Sequence, residues 1–205
     1  MTESTFYRLS DKAIKLLDKR LARRAQKARQ AMLIEGFDEL NVISTMKELY
    51  AGLFADNEEV YADLVGLVYA KAGGKGKAPD KEWLRRHILE APDPVTLYIY
   101  LYEEERKRDR TTEAINSSIG QPAKQKAFAR GLRYWHDMTR EYSDQITYET
   151  TIEAYRSRGV QRVMWLTAED ERVCEECAPR DRRIYPISEV PPRPHWNCRC
   201  EIVPV

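Results

Sequence analysis

The sequence predicts a mainly α-helical protein that ends in a small α+β Cys/His module of the zinc-knuckle type, and three observations carry that reading. Apolar residues recur at spacings of three and four through most of residues 1–160. The helical period stops at Gly159, after which Val163, Trp165 and Thr167 alternate with Met164 and Leu166. Six of the ten prolines and all four cysteines lie beyond that point. The predicted organisation is a helical body over 1–160, opened by a basic helix over 8–35, and a small Cys/His knuckle with short strands over 161–205.

Composition narrows the function classes. The 205-residue chain carries 34 Lys/Arg against 33 Asp/Glu, a formal net charge of +1. Whole-chain attraction to nucleic acid is therefore excluded, and such contact must come from a local patch. A hydrophobic content of 42% with only 9 glycines suits a helix-rich core. There is no apolar run of about 18 residues, and MTESTFYRLSDK lacks the apolar centre of a secretory signal. The expected product is cytoplasmic, with no membrane contact.

The first helix follows from Ile14, Leu17, Leu21, Ala25, Ala28 and Met32, one apolar stripe with Ser10 as N-cap and Gly36 as stop. Its other face is basic. Arg8 to Arg29 carries nine Lys/Arg against Asp11 and Asp18, a local balance of +7. Lys12, Lys15, Lys19, Arg20, Arg23, Arg24 and Lys27 form the candidate partner surface, for DNA phosphates by counterion release or for an acidic protein surface. A solvated face on a packed helix has the same pattern.

From Phe37 to Ala72 two helices are expected, hinged at Asp56-Asn57. Leu40, Ile43, Met46, Leu49 and Leu53 face the core in one, and Val60, Leu64, Leu67 and Val68 in the other. Gly73-Gly74-Lys75-Gly76-Lys77 lacks the spacing and the Ser/Thr of a phosphate loop, so it reads as a flexible basic loop. A short helix spans Lys81 to Glu90. Asp93-Pro94 then reads as an N-cap with Pro in the first turn, opening a helix through VTLYIYLY into EEERKRDRTTEAINSSI. Glu103/Lys107 and Glu104/Arg108 are its expected i,i+4 pairs. Gln121-Pro122 starts the next helix, with Phe128, Leu132, Trp135, Met138 and Tyr142 on one face. A last helix runs from about Ser143 to Arg158 and stops at Gly159.

The densest chemistry is C-terminal. Cys174 and Cys177 form a C-x-x-C pair, and His195, Cys198 and Cys200 follow after a Pro-rich loop. Two close-spaced ligand pairs separated by a loop are how small zinc sites are assembled. Five candidate ligands exist for four tetrahedral positions. Cys174, Cys177, Cys198 and Cys200 are one set; His195 in place of Cys198 or Cys200 gives the other. One zinc per chain is expected. Disulfides suit a reducing cytoplasm poorly, and a redox C-x-x-C would open a thioredoxin-type helix rather than precede Pro179. A nuclease of the HNH type would need a further His or Asn after the knuckle, and none lies among the residues after Cys200. With no phosphate loop and no nucleophile–base motif, neither catalysis nor a small-molecule substrate is expected.

Trp165-Leu-Thr167, Asp170-Glu-Arg172-Val173-Cys174, Cys177, Pro191-Pro192 and His195-Trp-Asn197-Cys198-Arg199-Cys200 together resemble the C-terminal signature of the phage Mu F-like minor head proteins, the phage head morphogenesis family. Arg110-Thr111-Thr112-Glu113-Ala114-Ile115-Asn116 is similar to a helix that the family carries upstream. Two departures stand out. Asp181-Arg182-Arg183 replaces the usual loop glycine, and Arg193-Pro194 is an added pair before His195. The resemblance implies a non-enzymatic, low-copy component of the virion head, associated with the portal and the major capsid protein during head morphogenesis. It also implies non-specific contact with packaged DNA, or departure with it during ejection. The competing readings are a zinc-knuckle nucleic-acid-binding protein and, third, a nuclease or toxin enzyme.

Overall fold

A computed structural model of the chain describes residues 5–92, 99–167, 173–196 and 198–205. The order is α1 (Thr5–Glu35), α2 (Glu39–Lys71), α3 (Lys81–Leu84, continued as a π turn over Arg85–Leu89), α4 (Tyr100–Asn116) and α5 (Gln121–Ser157). Strands β1 (Arg162–Leu166), β2 (Ile184–Pro186) and β3 (Glu201–Pro204) follow, with a 3-10 turn at Ala178–Arg180. The fold is mainly α with a small C-terminal strand region, as the sequence predicts. Among the described residues no helix is long and apolar enough to cross a membrane.

The four long helices pack around one core that holds Met32, Met46, Leu53, Leu64, Ile115, Trp135 and Ile146, each no more than 1% exposed. The α1 stripe is buried as expected, but α1 starts at Thr5 and Ser10 is not its cap. The Ser10 hydroxyl instead donates to Asp144 on α5 inside the packed face. Gly36, at φ +95°, is the predicted stop, and the Asp38 carboxylate caps α2 through the Asn41 N–H.

The expected hinge at Asp56-Asn57 does not exist; α2 is one helix of 33 residues. Both residues are buried polar groups with partners rather than breakers. Asp56 accepts from Arg20 and Arg24 of α1, and Asn57 donates to the Tyr100 hydroxyl at 2.6 Å. Polar composition signals a break only where the side chains face water, and these face neighbouring helices. Gly52 lets the Arg24 side chain lie across α2, since a methyl group there would collide with its guanidinium. Most of the expected core face is buried, with Met46, Leu49, Leu53, Val60, Leu64 and Val68 all inside. Leu40 and Leu67 are 79% and 57% exposed, while Val42, Tyr61 and Val65 point inward.

Of the helix expected through VTLYIYLY, the Asp93-Pro94 start and residues up to 98 lie outside the described residues; α4 begins at Tyr100. The expected pairs Glu103/Lys107 and Glu104/Arg108 do not form. Glu103 pairs with Arg106 at 2.6 Å, Lys107 sits over the Tyr134 ring, and Glu104 is buried. Tertiary burial outweighs the few tenths of a kcal/mol (about 0.2–0.5) that an i,i+4 pair contributes. The break expected near Ser143 is also absent. α5 runs unbroken for 37 residues, about 55 Å at 1.5 Å per residue. Ser143, Thr147 and Thr151 each return their hydroxyl to the carbonyl four residues back, so this polar run stays helical.

Gly159 ends α5, at φ +75°. Its N–H donates to Arg156 O and the Val160 N–H to Tyr155 O, the paired bonds of a Schellman turn. The chain enters β1, the centre of an antiparallel sheet in the order β2-β1-β3. Val163 pairs with Tyr185 and Pro204, and Trp165 with Ile202. The buried side of β1, Val163 and Trp165, joins Ile202 in a second apolar cluster. That cluster also takes Tyr69 from α2 and Ala72 at its C-cap, and Tyr148, Ile152 and Tyr155 from α5. The strand region is thus built directly onto the ends of two body helices.

Candidate metal centre

The C-x-x-C turn is placed by the sheet. After β1 the Thr167 N–H and hydroxyl both donate to one oxygen of Asp181, at 2.9 Å each. The backbone bond from Thr167 is the main cause that holds the Asp181 carboxyl below the usual range, against mild burial. Arg182 then takes φ +57°, the left-handed conformation that a glycine would adopt without strain. Its N–H donates to Trp165 O, and the Trp165 N–H donates to Arg183 O, which closes the loop onto β1. Within that loop the Cys177 N–H donates to Cys174 O at 3.1 Å and lies 3.3 Å from Cys174 Sγ. The turn therefore directs both sulfurs to one side.

The second ligand segment arrives between the loop and β3. His195 Nδ1 is 2.8 Å from the Trp196 carbonyl oxygen. A carbonyl can only accept, so Nδ1 carries the proton and the Nε2 lone pair is free to bind. Nε2 lies 3.0 Å from Cys174 Sγ and 3.2 Å from Cys177 Sγ. Cys177 Sγ is in turn 3.7 Å from Cys198 Sγ. Two groups of donor atoms result, each mutually within 4.8 Å: Cys174, Cys177 and His195, and Cys177, Cys198 and Cys200. All four cysteines are free thiols, and Cys177 is common to both groups. The cluster can hold a metal ion.

The electrostatics fit a cation. A hydrogen bond from the Cys200 thiol, with the Cys200 N–H and the Arg193 charge, draws the Cys198 thiol down to about 5 against its burial. Burial and the Cys198 charge push Cys177 up to about 12, and the hydrogen bond to Cys198 together with partial burial pushes Cys200 up as well. The thiols cannot all ionise side by side unless positive charge is added among them. A thiophilic dication at the cluster would supply that charge, and its affinity would fall as the ligands are protonated. The intersulfur distance of 3.7 Å is close to the edge of a tetrahedron with Zn–S bonds of about 2.3 Å.

The module is fixed to the helical body at three points. Tyr148 donates to Pro191 O at 2.6 Å, and Tyr155 contacts Ile202 O at 3.4 Å. Arg193 and Glu141 form a buried ion pair, Nη1 to Oε1 at 3.1 Å, with side chains 4% and 3% exposed. Sequence reasoning missed this role of Arg193 and Glu141. Its one signal was the added Arg193-Pro194 pair, and nothing in the spacing of α5 marks Glu141 as the partner.

The seven basic residues expected to bind a partner fall into two groups. Arg20 and Arg24 are committed to Asp56 and Glu59 within the fold, and Lys27 pairs with Glu48 at 2.7 Å. Lys12, Lys15, Lys19 and Arg23 are exposed along one side of α1.

Residues 108–203 match the protein family described as Phage Mu protein F like protein. No curated protein and no solved structure gives a significant match to the chain. The matched span takes in the second half of α4, all of α5, β1, β2, most of β3 and the five Cys/His residues of the cluster. Over residues 108–203, a little under half of its length, the chain is similar to the phage Mu F-like proteins.

Proposed function

We propose that the protein is a minor head protein of a tailed bacteriophage, a structural component that joins the portal and the inner face of the capsid during head morphogenesis. The family match over 108–203, which points to a phage head morphogenesis protein, is the observation that carries this reading. Its metal is zinc, one per chain, and its role is structural. Four of the five donors, Cys177 and Cys198 among them, fill its tetrahedral positions. A zinc ion with four protein ligands keeps no position for water or substrate. The division into a helical body over 1–160 and a metal-held module over 161–205 belongs to the same reading, with the buried sides of Tyr148 and Tyr155 as the seam.

The docking surface is the basic side of α1. Lys12, Lys15, Lys19 and Arg23 recur at three and four residues, so they form one exposed row along the helix. Such a row steers toward acidic protein surfaces or packaged DNA but has no base-reading geometry. Changing all four to Glu should sharply reduce incorporation into heads while leaving the fold intact, because these side chains support no described contact of the body. Incorporation of that variant at the wild-type level would remove α1 from assembly. Metal-dependent DNA cleavage by the wild-type protein, abolished by His195→Ala, would overturn the structural role.

A further inference from the structure

The added pair Arg193-Pro194 is placed where an insertion would be expected to loop into water, yet Arg193 is among the most buried charged residues described. Its guanidinium makes three kinds of contact at once. Nη1 lies 3.1 Å from Glu141 Oε1 and 3.3 Å from the Glu141 carbonyl oxygen on α5. Nη2 reaches Glu141 Oε2 at 3.4 Å and the Cys198 carbonyl oxygen at 3.4 Å. The same side chain borders a cleft between α1, α5 and the module, which is also lined by Asp144, Cys198, Cys200 and Glu201. Arg193 therefore connects the rigid centre of a 37-residue helix with the backbone of a cysteine whose sulfur faces the metal cluster.

From this geometry we infer that Arg193, held by Glu141, is a positioning residue for the metal centre, and that through it the helical body sets the metal affinity of the module. The inference rests on the proposal that Cys198 is a zinc ligand. The physical reason lies in the direction of the fork. A guanidinium offers several donors in a fixed plane, so fixing one edge on the Glu141 carboxylate fixes the other edge on Cys198 O. That contact holds the Cys198 backbone at the angle from which Sγ approaches Cys177. Groups that orient a ligand from behind carry a large share of a metal site's affinity. His195 of the same segment meets Cys174 and Cys177, and the segment continues into β3, which pairs with β1. Both members of the pair are buried, so breaking it by withdrawing the loop is costly.

The test compares the wild type with Arg193→Lys and with the double variant Arg193→Met/Glu141→Met, using zinc as the probe. Zinc affinity is read by competition with a chromophoric chelator. Cobalt(II) substitution reports the number of thiolate ligands, and helix content reports the fold. The double variant removes both members of the ion pair together rather than leaving one of them facing the other's vacant place. The expected result is a loss of zinc affinity of about 10- to 100-fold in the double variant, with unchanged thiolate count and helix content. Arg193→Lys, which keeps the charge but loses the fork, should fall between it and the wild type. Affinities within about threefold of the wild type in both variants would overturn the inference while leaving the zinc site standing. A wild-type protein that binds no zinc would overturn the metal reading and this inference with it.

Discussion

Asp56 is the residue on which sequence and structure disagree most, and replacing it with alanine distinguishes a latch from a hinge. Its carboxylate side chain is 9% exposed and accepts from Arg20 and Arg24, whose side chains are 21% and 33% exposed. Burial works against the charged carboxylate, but the hydrogen bond from Arg24 and the charges of both arginines outweigh it and hold the acid below its usual range. Hydrogen bonds to a charged group contribute about 1.5–3 kcal/mol each, whereas exposed ion pairs contribute only about 0.2–1. This cluster is buried on one side and wet on the other, so about 2–3 kcal/mol is the reasonable sum. Alanine returns roughly 0.5 kcal/mol through its better helix propensity. Asp56→Ala should therefore cost about 2 kcal/mol at neutral pH in urea denaturation. A lowered folded-state pKa gives stability that is present above the unfolded value and lost as pH falls through the folded one. The difference between wild type and variant should hold from neutral pH down to about 4 and shrink below it. Equal stability at pH 7 would restore the hinge, and a difference unchanged at low pH would refute the ion-pair account.

Two further substitutions test other parts of the fold. Glu104 is buried with one carboxyl oxygen lacking a hydrogen-bond partner, and burial raises its pKa well above the ordinary value. The fold thus favours the protonated acid and loses stability as pH rises beyond the unfolded pKa, so Glu104→Gln should stabilise the protein more at pH 8 than at pH 4; a pH-independent loss would contradict this. Arg182→Gly should be neutral or stabilise by up to about 1 kcal/mol in thermal unfolding, because it relieves the left-handed backbone at φ +57°. A loss above about 1 kcal/mol would show that the Arg182 side chain outweighs that strain.

What the sequence revealed, it revealed through period and spacing. The α1 stripe, the Phe128–Tyr142 face, the stop at Gly159 and the alternation of β1 are local patterns, and the structure forms each of them. The five Cys/His residues were legible because ligand chemistry leaves few alternatives for such a cluster. What remained hidden depends on partners far along the chain. Asp56-Asn57 look like a break until Arg24 and Tyr100 are brought to them. Thr147 and Thr151 look like poor helix formers until α5 is buried. Arg20 and Arg24 look like a nucleic-acid surface until Asp56 and Glu59 claim them. Arg193 looks like a loop insertion until Glu141 is beneath it. Each is a polar residue whose meaning is set by a contact that the local pattern does not encode.

The central claim is that the C-terminal cluster is a metal centre with Cys177 at its heart, and the metal content of the intact chain tests it most directly. Native mass spectrometry of the protein expressed in zinc-replete medium should show one zinc on the wild type. Cys177→Ser should lose it, since Cys177 belongs to both groups of donor atoms. Metal-free wild-type protein with four titratable thiols would contradict the account.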